Sequence, residues 1–89
     1  PEQRESFIPL CPDFLVELRS QTDSLKKLQA KMKEYRDNGA QLGWLIDPKN
    51  KWVEIYRVGR EAERLDQPST VSGEDVLPGF TLTLNRIWA

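Results

Sequence analysis

Residues 42–57 read Leu42-Gly-Trp-Leu-Ile-Asp-Pro-Lys-Asn-Lys-Trp-Val-Glu-Ile-Tyr-Arg57. The first run, 42–47, is strongly apolar, the last, 52–57, alternates, and Pro48-Lys-Asn-Lys51 between them is turn chemistry. Two such runs across a short polar turn predict an antiparallel hairpin. Upstream of it, Asn38-Gly39 stops a helix, with Gly39 as the left-handed residue at its C-terminus. Leu25, Leu28, Met32 and Tyr35 form one apolar stripe at helical spacing and predict a helix over 25–37. Thr22, Asp23 and Ser24 are N-cap candidates for it. Residues 13–19 read as a strand. Phe14, Val16 and Leu18 share one face, and Asp13, Leu15, Glu17 and Arg19 the other. Strand, helix and strand in this order make a βαβ unit, which favours a parallel pair with a right-handed crossover. The sheet is therefore expected to mix parallel and antiparallel pairing.

Outside this centre the signals are weaker. Residues 63–66 read as a short strand, 72–79 as a turn-rich link, and 80–84 as a last, edge strand. Residues 1–9, with Pro1 and Pro9, read as a loop. The 89 residues allow a single domain, 1–89. A chain this short buries only about 60–65% of its unfolded surface. Its apolar share of 38% is low and its charged share of 30% is high. A missing segment or a partner covering further apolar surface would fit those values. The chain opens on Pro1 and not Met, so the expectation is the C-terminal part of a fuller domain.

Formal net charge is −1, so bulk charge does not advertise nucleic-acid binding. Lys26, Lys27, Lys31, Lys33 and Arg36 nevertheless crowd the expected helix. They are either a solvated face or a phosphate-facing surface. The single cysteine, Cys11, has no internal disulfide partner and gives no sign of an oxidising compartment. No apolar run approaches the roughly 18 residues of a membrane span, and no signal-peptide pattern opens the chain. A cytoplasmic protein is expected.

The absence of histidine excludes histidine catalysis and histidine-rich metal sites. One cysteine without histidine argues against a thiol nucleophile, and no Gly-rich phosphate loop is present. Carboxylates, lysines and arginines remain. Glu17 is the most informative, because it interrupts an apolar strand, where a carboxylate is costly unless paired or metal-bound. On the strand alone the plainer reading is an ion pair with Arg19 on the same face. The functional reading is a ligand for a hard cation such as Mg²⁺. Asp13 shares that face, but its Cα lies roughly 13 Å from that of Glu17. The two cannot close on one ion at about 2.1 Å. Asp13 fits the opening of a strand after Pro12, and a second carboxylate would have to come from a neighbouring strand. Lys31 flanks the apolar stripe and is the lysine best placed to reach inward, although a snorkelling surface lysine is the plainer reading. Trp44, Trp52 and Trp88 read as packing residues before base-stacking platforms.

Pro12-Asp-Phe-Leu-Val-Glu-Leu-Arg-Ser20 resembles the strand signature of the Uma-two family of restriction endonucleases. So do Ser24-Leu-Lys-Lys-Leu-Gln-Ala-Lys-Met-Lys-Glu-Tyr35, Asn38-Gly39 with Leu42-Gly-Trp-Leu-Ile-Asp-Pro48, Val53-Glu-Ile-Tyr-Arg57 and Leu77-Pro-Gly-Phe80, in order along nearly the whole chain. That family is similar to the PD-(D/E)XK nuclease superfamily. The resemblance implies an α/β, restriction-endonuclease-like mixed sheet with a flanking helix. It also implies Mg²⁺-dependent (or Mn²⁺-dependent) endonucleolytic hydrolysis of DNA phosphodiesters by the full-length enzyme. By position Glu17 matches the metal-binding Glu, and Leu18 the residue that adds a backbone carbonyl. Arg19 stands at the usual lysine position. Arginine stays protonated and is no base, but it can neutralise phosphate charge. Lys31 is then the candidate for a lysine moved to the helix. The acidic ligand of the preceding strand is expected upstream of Pro1. Arg19 and that missing ligand also keep open a non-catalytic interaction module that retains the fold. A homodimer through the hairpin edge and Trp88 is a further open expectation.

Overall fold

The computed structural model describes residues 12–88. The loop expected over residues 1–9, and Cys11, lie outside the described residues. The elements are β1 (Phe14–Leu18), α1 (Leu25–Asp37), β2 (Leu42–Asp47), β3 (Trp52–Arg57), β4 (Glu63–Asp66), β5 (Thr70–Ser72), β6 (Thr81–Thr83) and α2 (Asn85–Trp88). Strands β1-β2-β3-β4 form one sheet in that order, and β5 and β6 form a separate two-stranded ribbon. β1 pairs parallel with β2, whereas β2–β3 and β3–β4 are antiparallel. The expected mixed sheet is the observed one.

Local chemistry sets both ends of α1. Ser24 sits in extended backbone and its side chain accepts a hydrogen bond from the Lys27 amide, which satisfies one orphan N–H of the first turn. At the other end the Gly39 amide donates to the Arg36 carbonyl and the Ala40 amide to that of Tyr35. That pair of bonds is a Schellman motif. It needs positive φ at its pivot, where Gly39 stands at φ 107°.

The sheet is covered on both faces. Under α1, Met32 packs with Leu45, Trp52 and Tyr56, supported by Leu15, Leu25 and Leu28. On the opposite face Leu42, Trp44, Ile46, Val53 and Ile55 pack with Val71 of the ribbon and with Leu84 and Trp88. All six residues of β2 are buried, as a central strand with two covered faces requires. The tryptophans are packing residues: Trp44, Trp52 and Trp88 are all buried.

Two expectations need correction, and β5, three residues long and without measurable periodicity, is an element that no expectation covered. The last strand forms, but it pairs with β5 and not with the main sheet. The two features invoked for a dimer are internal. Both hairpin strands have neighbours on either side, and the Trp88 indole donates to the Pro68 carbonyl at 2.6 Å inside the core.

Candidate functional site

One row across the sheet carries three charged residues. Glu17 lies opposite Leu45, Leu45 opposite Glu54, and Glu54 opposite Arg64. All four are on the face under α1. Glu17, in β1, reaches Lys31 Nζ at 2.8 Å, its carboxylate partly exposed. The hydrogen bond to Glu17 raises the Lys31 pKa above its ordinary value, against a smaller opposing effect of burial. Glu17 and Arg19 do not pair, which corrects the plainer reading of the strand. Lys31 takes Glu17, and Arg19 turns to Asp47.

Arg19 continues the parallel ladder beyond β1, its amide donating to the Ile46 carbonyl at 2.9 Å. Alternate residues of a strand direct their backbone groups to opposite neighbours. The Leu18 carbonyl therefore points to the outer edge of β1, where no described strand pairs. Side chain and carbonyl thus present oxygens of Glu17 and Leu18 around one edge of the sheet. Asp13 is exposed and takes Gln41 Nε2 at 3.4 Å, while its carbonyl receives the Gln41 and Leu42 amides. It opens the strand, as expected.

Asp47 and Glu54 are the carboxylates that sequence reasoning did not single out. Asp47 is 1% exposed. One of its oxygens accepts the Lys49 and Asn50 amides, and the other accepts Asn50 Nδ2 and Arg19 Nη1, the last at 2.8 Å. Burial pushes its pKa up, but the Asn50 amide, the Asn50 side chain and Arg19 outweigh that and leave it below the ordinary value. Glu54 is 7% exposed. It accepts from Gln29 Nε2, the Tyr56 hydroxyl and Arg64 Nη2. There too burial pushes upward, and Arg64, Gln29 and Tyr56 together hold the carboxyl low. Burial, followed by the bond to Glu54, drives the Tyr56 phenol well above its usual range. The signals were present: an Asp-Pro at the end of an apolar strand is an Asx-turn candidate, and Glu54 shares its face with Trp52 and Tyr56.

The basic residues of α1 are not one surface. Lys31 lies on the β1 flank against Glu17, whereas Lys33 and Arg36 line a cleft of about 530 Å³ on the other flank, with Arg60 and Glu61. Arg36 is committed there to the Arg60 carbonyl and to Asp37. Among the described residues no group of three acidic, cysteine or histidine side chains could hold a metal ion. Glu17 and the Leu18 carbonyl are hard oxygen donors suited to Mg²⁺ or Mn²⁺. An ion held by this edge would complete its shell with water, phosphate or a further carboxylate. No helix among the described residues is long and apolar enough to cross a membrane.

A mixed four-stranded sheet with a helix packed on one face defines an α/β protein. The model of the Uma2 family, described as "Putative restriction endonuclease", matches residues 1–85, and the chain belongs to that family. The fold is similar to a crystal structure titled as a putative nuclease belonging to DUF820 from Anabaena variabilis ATCC 29413. The TM-score is 0.76 and the sequence identity 29%, over 86% of this chain and 44% of that one. The chain thus spans less than half the length of that protein. A comparison with curated proteins finds no match.

Proposed function

We propose that this chain carries part of the active site of a metal-dependent endonuclease that hydrolyses DNA phosphodiester bonds. One observation carries the reading: in a member of this family, Glu17 stands mid-strand with the Lys31 ammonium 2.8 Å away. Glu17 and the Leu18 carbonyl would hold Mg²⁺ or Mn²⁺. When bound, such an ion lowers the pKa of a coordinated water and polarises a phosphoryl oxygen. Lys31, beside the Glu17 carboxylate, positions or activates the attacking water. Arg19, two residues along the same face, offsets charge that develops on the phosphate. A further acidic ligand comes from outside the described residues. Each lost electrostatic element costs on the order of 10²–10³ in rate.

The test is calorimetric titration of the full-length protein with Mg²⁺ and Mn²⁺, with plasmid cleavage alongside. Glu17→Ala should abolish metal binding and leave the fold intact. Lys31→Ala should keep metal binding and lose cleavage. If the wild-type protein binds neither ion and leaves the plasmid whole, the fold serves as a non-catalytic interaction module. Arg19 in the usual lysine position is the feature that favours that second reading.

A further inference from the structure

We propose that Asp47 is the positioning residue for Arg19, and that the cleft they share receives a backbone phosphate of the nucleic-acid strand. The inference rests on the nuclease reading and deepens it. The cleft, about 560 Å³, lies at the C-terminal ends of β1 and β2 and is lined by Arg19, Ser20, Gln21, Asp47, Lys49 and Asn50, among others. Asp47 is anchored before it touches Arg19, because the 49–50 amides and the Asn50 side chain already fix its carboxylate. A flexible guanidinium is thereby tied by one arm, Nη1, to a buried and immobile oxygen. Among the described residues no other group takes the hydrogens of its Nε or Nη2. Those remaining donors form a planar fork that matches the non-bridging oxygens of a phosphodiester. Arg19 and Lys49 against Asp47 leave the cleft with a net positive charge. Its position is also apt, since Arg19 follows Glu17 at roughly 7 Å along the same strand face. A phosphate held there would lie beside the Glu17 edge, where Arg19 can offset the charge that develops on it.

The contact explains why a buried aspartate ends an otherwise apolar strand. A turn alone is satisfied by one of its oxygens, and the second is spent in part on Arg19. Asp47→Asn keeps the backbone part of the turn, because its carbonyl still accepts the Lys49 and Asn50 amides, while its NH₂ can no longer accept from Arg19 or from Asn50 Nδ2.

The experiment uses the full-length protein and a short fluorescein-labelled DNA duplex. Binding is read by anisotropy across a salt series in EDTA, and plasmid cleavage is read in Mn²⁺. Arg19→Ala and Asp47→Asn should each lower the slope of log affinity against log salt by about one contact. The double variant should match Arg19→Ala. In cleavage, each single variant should lose about tenfold in kcat/KM, again with no further loss in the double. A wild-type slope in Asp47→Asn, or losses that multiply in the double variant, would overturn the proposal. A wild-type protein that binds the duplex but does not cut it removes the nuclease reading, and the slopes still decide the role of Asp47. A protein that binds no duplex at low salt overturns both.

Discussion

At the scale of single residues, the sheet's α1 face is organised by carboxylates that each find a cation: Glu17 with Lys31, Asp47 with Arg19 and Glu54 with Arg64. Their environments differ. Glu17 is accessible and can exchange its lysine for another ligand, whereas Asp47 and Glu54 are enclosed and fix the groups around them. That difference has a consequence for pH. A carboxyl whose folded pKa lies below its unfolded value adds stability that is present above the unfolded value, about 4. The contribution is lost as pH falls through the folded value. Asp47 and Glu54 both have lowered values. Urea unfolding followed from pH 7 down to pH 3 should therefore show a steep loss in the wild-type chain. The slope should be flatter in Asp47→Asn or Glu54→Gln, each already about 1–3 kcal/mol less stable at pH 7. Equal slopes in all three proteins would mean that neither carboxyl controls acid sensitivity.

At the scale of elements, helix packing and ribbon packing tolerate change differently. A Cβ at Gly43, in β2, would meet Met32 Cε at 2.8 Å and Leu15 Cδ2 at 3.3 Å. Both are free ends of flexible side chains, so α1 can readjust over the sheet, and Gly43→Ala should cost about 1 kcal/mol. At Gly73, after β5, a Cβ would meet Leu77 Cβ at 2.6 Å and two backbone carbonyls, those of Leu77 and Phe80. The same loop is closed by the Gly73 amide on Phe80 and by the Leu77 amide on Gly73, so nothing there can give way cheaply. Gly73→Ala should cost about 2–3 kcal/mol. Thermal or urea midpoints should rank Gly73→Ala well below Gly43→Ala, and the reverse order would show that the ribbon yields more readily than the helix. The ribbon is also the element least legible in sequence. Its strands are three residues each, and they are defined by pairing with each other and by the packing of Val71 against the Trp44 face.

At the scale of the whole molecule, the two strands with no second neighbour among the described residues, β1 and β4, are not alike. β4 is polar and short. β1 leaves Val16 42% and Leu18 56% exposed on the face shared with Phe14 and Trp44. An edge with exposed apolar side chains is a template for strand pairing. Val16→Lys with Leu18→Lys should change the stability of the 89-residue chain by no more than about 0.5 kcal/mol each. The same pair should suppress concentration-dependent association in sedimentation velocity. A stability loss of several kcal/mol would show that these side chains are core after all. The alternation of 13–19, the stripe from Leu25 to Tyr35 and the turn at Pro48 carry period and punctuation, so the βαβ-hairpin order and its mixed pairing were determined by sequence alone. Glu17 and Lys31 could be nominated there too, because a charge in an apolar strand or beside an apolar stripe is visible locally, and Arg19 was nominated by the family resemblance. Their partners could not. That Lys31 takes Glu17 while Arg19 turns to Asp47, 28 residues away, depends on the register of β1 against β2 and on the height of α1 above the sheet. Those are set by the packing of Met32, Leu45 and Tyr56, a tertiary quantity that no local pattern contains.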